Sequence, residues 1–237
     1  MKRRAWLLFF AASLVFAAPQ RAAADLVLLS FSGFDYEDVN SNPGTYLDVG
    51  EGYKALGDVT SVDPVLLGPY VDFGTKEYTF YMFNLTVNAR FFAGGFLSAT
   101  FNNGGRGRYY EDDQAPTGTH RTYGINPPNA TAPSTFIDGP GPPPNPVKLG
   151  GSIDNFVVSY NFNNNTGNFQ GDMTLDEGSA LIYIPPSERQ GWILGGLAGP
   201  PNPTVPQGYT HQVNGECRIP VTVNTRSTWG TIKSLYR

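Results

Sequence analysis

Between Phe156 and Leu175 the chain alternates with a period of two residues. Phe156, Val158, Tyr160 and Phe162 share one face, and Val157, Ser159 and Asn161 share the other. Asn163-Asn164-Asn165-Thr166-Gly167 then turns the chain, and Phe169, Gly171, Met173 and Leu175 alternate on the way back. This period places successive side chains on opposite faces of a pleated strand and is incompatible with an amphipathic helix. A hairpin with one apolar face must bury that face against another layer, so the segment commits its surroundings to β structure.

The rest of the chain is written in the same style. Asp25–Ser32 reads as a strand, with short ones expected at Tyr46–Asp48, Tyr53–Val62 and Val65–Phe73. Tyr78 to Phe101 is dominated by aromatic and β-branched residues and is broken by Gly94-Gly95, which marks a turn or bulge. Asn102-Asn103-Gly104-Gly105 reads as a hairpin turn, with Gly107–Tyr110 as the returning strand. Residues Ile125–Gly150 hold eight prolines and predict a long surface loop. A helical turn is expected at Ser187–Gly191, a second proline loop at Pro200–Pro206, and a last strand at Tyr209–Ile219. Ser227 caps an expected short C-terminal helix that puts Trp229, Ile232 and Tyr236 on one face.

The N-terminus carries an address. Lys2, Arg3 and Arg4 precede an apolar run from Ala5 to Ala18, and Ala22-Ala23-Ala24 supplies small residues for cleavage, so residues 1–24 read as a signal peptide. The run is short for a membrane span, which needs about 20 apolar residues. Removing it takes away Lys2, Arg3, Arg4 and Arg21, leaving 12 basic against 20 acidic residues and a charge of −8. That balance argues against nucleic acid as a partner. The single cysteine, Cys217, cannot form an internal disulfide and is expected to be buried and inert.

The sequence is poor in catalytic chemistry. With His120 and His211 as the only histidines and no Cys-x-x-Cys, a zinc-type site has no support. Glu111-Asp112-Asp113 is an acidic run at a strand end; neighbouring residues on a strand point to opposite faces, so it does not by itself form a facing carboxylate pair. Asp35, Asp38, Asn40, Asn42 and Asp48 offer alternating oxygen ligands in the manner of a Ca²⁺ loop. Pro43 stands where that loop has its glycine, and Val49 where it has a bidentate Glu; the competing reading is an Asx-rich turn. Tyr109, Tyr110, Tyr123 and Trp192 are the candidate glycan-stacking platforms, against the competing reading that they are core.

Tyr78-Thr-Phe-Tyr81, Tyr110-Glu-Asp-Asp113, Gly124-Ile-Asn-Pro-Pro-Asn129 with Thr135-Phe-Ile-Asp-Gly139, and Gly150-Gly-Ser-Ile-Asp154 together resemble uncharacterised exported bacterial proteins, including those with PEP-CTERM sorting tails. This chain departs from that group in lacking its terminal apolar span and basic end. The resemblance implies a bacterial, extracellular β-sandwich and transfers no functional residue.

The expectation is therefore an all-β chain: a signal peptide at 1–24, one antiparallel β-sandwich of jelly-roll or Greek-key type over 25–220 with long proline-rich loops, and a tail at 221–237 with a short helix. The rival architecture is a transmembrane β-barrel. The expected role is a secreted or cell-surface, non-enzymatic protein that binds glycan or another envelope component, with Ca²⁺ as the one candidate cofactor. The alternatives are a carboxylate-dependent glycan hydrolase or lyase and a purely structural envelope component.

Overall fold

The computed structural model describes residues 25–37, 45–114, 147–200 and 205–219. Leu26–Pro220 forms one compact unit. The signal segment, the 38–44 loop, most of the proline-rich loop and the expected C-terminal helix lie outside the described residues.

Nine strands are present: β1 (Leu26–Glu37), β2 (Gly52–Val62), β3 (Lys76–Ala93), β4 (Phe96–Phe101), β5 (Gly105–Asp113), β6 (Val147–Asn161), β7 (Thr166–Glu177), β8 (Trp192–Ala198) and β9 (His211–Ile219). Neighbours are antiparallel, β1 to β2, β2 to β3, then through β5 to β6, β7, β8 and β9. Strand β9 returns to β1, pairing Leu26 with Ile219 and Asp35 with His211. These eight strands close a barrel, and β4 adds a ninth between β3 and β6.

The expected β-sandwich is therefore wrong. A sandwich has two sheets with free edges, whereas here β1 hydrogen-bonds on both sides and the sheet closes on itself. Alternation shows that one face of each strand is buried but not whether the covering face belongs to a second sheet. The Asn102–Gly105 hairpin is also corrected. Strands β4 and β5 do not pair but run one after the other, both between β3 and β6. Gly104 (φ +96°), Asn84 in β3 (φ +57°) and Asn155 in β6 (φ +52°) form a row of irregularities across three adjacent strands. The Asn103 side chain accepts from the Asn155 backbone N–H, and Asp154 accepts from that of Gly104, both at 3.1 Å. Bulges bend strands, and a row of them turns the sheet toward closure.

Phe31, Phe80, Phe156, Phe169, Met173, Leu194 and Cys217 belong to the buried core. On two strands the outward positions are polar: Asn168, Gln170, Asp172, Thr174 and Asp176 alternate with the buried Phe169, Met173 and Leu175 on β7, and Gln212, Asn214, Glu216 and Arg218 do so on β9. A membrane-spanning barrel needs an apolar band outside, and the outward faces of β7 and β9 are polar instead, while Leu197 on β8 and Phe91 and Phe96 on β3 and β4 are exposed apolar residues. Among the described residues no helix is long and apolar enough to cross a membrane.

Two glycine pairs shape the wall. Gly33 stands opposite Gly57, and Gly196 opposite Gly215. A Cβ on Gly33 would lie 2.6 Å from the Gly57 Cα, and one on Gly215 would lie 2.5 Å from the Phe31 ring. The strands approach closely and the large rings lie flat against bare backbone.

The two ends of the barrel differ. At one, 3₁₀ turns at Ser179–Tyr183 and Pro186–Glu188 bring in Ala180 and Ile184, and Trp192 donates its indole N–H to the Glu188 carbonyl at 2.7 Å. The segment Val65–Phe73, expected as a strand, holds turns and a 3₁₀ turn at Gly68–Tyr70, and contributes the buried Leu67. The other end gathers polar groups.

Candidate functional site

The polar end is built from the ends of five strands and one turn. Asp35 and Glu37 close β1, Tyr53 opens β2, Arg90 and Phe92 end β3, and His211 opens β9. Tyr160 stands at the end of β6 and Phe162 just beyond it, in the turn that follows. The turn at residues 45–51 adds Thr45, Tyr46, Asp48 and Glu51.

Asp35 is the centre of the network and is fully buried. Its carboxylate accepts from the His211 backbone N–H at 2.7 Å and from the Tyr46 hydroxyl at 3.0 Å. The His211 Nδ1 lies 3.2 Å from one carboxylate oxygen and 3.3 Å from the other, and Tyr53 donates its hydroxyl to the same group. A buried carboxylate persists only with such partners. Burial, with the Asp35 charge added to it, pushes the Tyr46 and Tyr53 hydroxyls well above the usual tyrosine range.

Beside it stands a pair of carboxyls, Glu37 and Glu51, that hydrogen-bond each other. Each also accepts a backbone N–H of the turn, Glu37 from Leu47 and Glu51 from Asp48 at 2.9 Å. Burial is the main cause that pushes the Glu37 carboxyl up to about 7; the Leu47 N–H opposes it and the Glu51 charge adds to it. Leu47 is itself buried with φ +58°, a conformation rare for a branched side chain and a sign that the turn is held by what it contacts. Asp48 accepts from the Thr45 hydroxyl at 2.6 Å and pairs with Arg90 at 3.2 Å.

These groups border an open depression of about 580 Å³ lined by Glu37, Thr45, Tyr46, Arg90, Phe92, Phe162 and Thr210. The Phe162 ring is edge-on to Phe92 and to Tyr46, with centroids 5.9 and 6.4 Å apart. Behind it, Tyr160 contacts His211 at 4.3 Å, and its buried hydroxyl has no hydrogen-bond partner. Apolar walls with a few converging polar groups and one shifted acid are the usual marks of a small-molecule site. A second depression, about 540 Å³, lies along β7, β8 and β9 over Gly195 and Gly196; no buried titratable group lines it.

The residues singled out from sequence are scattered by the fold. Asp35 faces the barrel interior, Asp48 is tied to Thr45 and Arg90, and Asp38, Asn40 and Asn42 lie outside the described residues. Among the described residues no group of three or more potential ligands could hold a metal ion. Tyr109, Tyr110 and Trp192 are buried, so they present no open platform, and Tyr123 lies outside the described residues. Glu111 accepts from Tyr78 at 2.8 Å and from Lys148 at 2.6 Å, and Asp113 bonds Lys76. That acidic run is spent on neighbouring donors.

No known protein family, curated protein or solved structure matches this chain.

What the site can do therefore rests on its own chemistry. Glu37, Glu51, Arg90 and Phe162 carried no sequence signal as a group. Only the strand-end position of Phe162, last in an inward-facing series, could have pointed to it.

Proposed function

We propose that this is an exported, non-enzymatic binder that holds a small organic molecule at the open end of its barrel. The observation that carries the reading is the convergence of Tyr46, Phe92 and Phe162 with Glu37 and Arg90 around one depression of about 580 Å³. Export rests on the N-terminal segment, and a glycan terminus is one ligand of suitable size, since aromatic faces beside hydroxyl and carboxyl groups suit a sugar ring.

The neutral dye N-phenyl-1-naphthylamine tests the site. Its fluorescence should rise saturably, and Phe162→Ala should weaken binding about tenfold through the lost ring contact. Leu197→Ala, on the outer wall, should leave it unchanged. Non-saturable binding, or equal binding by the Phe162→Ala variant, would sink the proposal and favour a purely structural protein. Displacement of the dye by methyl α-glucoside would support the sugar form of it.

One observation favours a second reading. A carboxyl shifted to about 7 at the edge of a pocket suits general acid–base work. Turnover of p-nitrophenyl glycosides by the wild type but not by Glu37→Gln would place the protein among carboxylate-dependent hydrolases.

A further inference from the structure

We infer that the open end of the barrel takes a small organic cation of the alkylammonium class, seated in the depression that Tyr46, Phe92 and Phe162 line, with Glu37 beside it. This rests on the ligand-binding reading above and adds to it the charge of the ligand.

Two features point to a cation. The first is the rings: Phe162 packs nearly perpendicular to both Tyr46 and Phe92, at 83° and 70°, and all three line the one depression. An aromatic face attracts a positive charge, most strongly where water is excluded. The protein already uses one ring in this way, with the Arg90 guanidinium 5.5 Å from the Phe92 centroid.

The second feature is the formal charge around the depression. Among the described residues four carboxyl groups, Asp35, Glu37, Asp48 and Glu51, cluster at this end against the guanidinium of Arg90, which Asp48 already pairs at 3.2 Å, and the imidazole of His211 beside Asp35. The formal surplus is negative even with Glu37 and His211 both protonated, three carboxylates against two cations. An anionic ligand would meet that surplus, whereas a cation would relieve it.

The groups facing Glu37 are Asp35 on its own strand, Thr45, Tyr46, Asp48 and Glu51 on the turn, and Tyr53 on β2. Arg90 on β3, Tyr160 on β6, and Thr210 and His211 at the start of β9 complete the surroundings. Of these, Glu37 both lines the depression and titrates near neutral pH. Its ionised fraction rises from about one-tenth at pH 6 to about nine-tenths at pH 8, so cation affinity should rise about tenfold over that interval.

The full chain titrated with tetramethylammonium chloride, against sodium chloride at equal ionic strength, tests this by calorimetry or NMR. The expected result is saturable binding at pH 8, about tenfold weaker at pH 6. Phe162→Ala should weaken it about tenfold at pH 8 while keeping the pH trend. Glu37→Gln should bind weakly and equally at both pH values. The wild-type pH trend stands as a test even if a variant folds poorly. Tighter binding at pH 6, or a pH trend that survives Glu37→Gln, overturns the inference. So does a chain that takes N-phenyl-1-naphthylamine saturably but not tetramethylammonium at pH 8, and in that case the general binding site stands. If neither probe binds, both readings fall.

Discussion

Asp35 sits where a carboxylate is most costly, inside the barrel wall, and four donors around it offset the loss of water. Those donors come from β2, β9 and the 45–51 turn, so one residue ties three parts of the chain to β1. Glu37 is solvated less well by its surroundings and answers by keeping its proton. Its value lies near 7 when folded and near 4.5 otherwise, so the folded state holds the extra proton between those limits. Stability from this group is present at pH 4.5 and below and is lost as pH rises toward 7. The loss should be about 1–2 kcal/mol once solvent screening of a partly exposed group is allowed for. Urea unfolding at pH 5 and pH 7.5 should show it in the wild type and not in Glu37→Gln; an identical slope in both would assign the effect elsewhere. The same ionisation that lowers stability raises the expected cation affinity.

At the scale of elements, closure depends on backbone approach at glycine. The Gly33–Gly57 contact leaves no room for a Cβ, whose nearest neighbours would be backbone atoms at 2.0 and 2.6 Å. Gly33→Ala should cost at least about 2 kcal/mol, because backbone rather than a flexible side chain must move. Gly94 at the β3–β4 turn has open space around it and only its φ of +60° to satisfy, so Gly94→Ala should cost about 1 kcal/mol. Chemical denaturation of the pair separates the two causes; equal losses would mean that the wall can relax. Gly94-Gly95, which the sequence leaves as a turn or a bulge, is the turn between β3 and β4. The β6–β7 hairpin, and β9 within a residue or two, were legible from alternation and turn residues. Strand β8 was not, because Trp192-Ile-Leu-Gly-Gly-Leu-Ala198 carries glycine where alternation would show and lies among proline-rich turns. The Asn-Gly signal at Asn103-Gly104 implies a hairpin reversal, and the chain does not reverse there. The flanking strands continue in one direction because both β3 and β6 are long enough to pair with each in turn.

The barrel is a single closed ring, and its seam runs along β9. Cys217 on that strand is fully buried, its Sγ 3.8 Å from the Met173 sulfur, and burial pushes its thiol well above the usual range. Aromatic disulfide reagents should therefore modify it only as fast as the whole barrel opens. Labelling across a denaturant series should track the unfolding measured by fluorescence. Labelling that outruns unfolding would show that the β1–β9 seam parts on its own.

Local pattern determined a great deal here. Period-two alternation, β-branched and aromatic runs and Asn/Gly turns marked the chain as all-β and placed most strands, because those signals act between residues a few positions apart. Closure belongs to another range: β1 pairs with β9 across some 180 residues, and nothing in either strand states whether its partner lies in the same sheet or a second one. The candidate site is decided the same way. Glu37, Arg90, Phe162 and His211 become one site only because the barrel brings four strand ends to one rim. Burial then converts Glu37 from an ordinary surface acid into a group that titrates near neutrality.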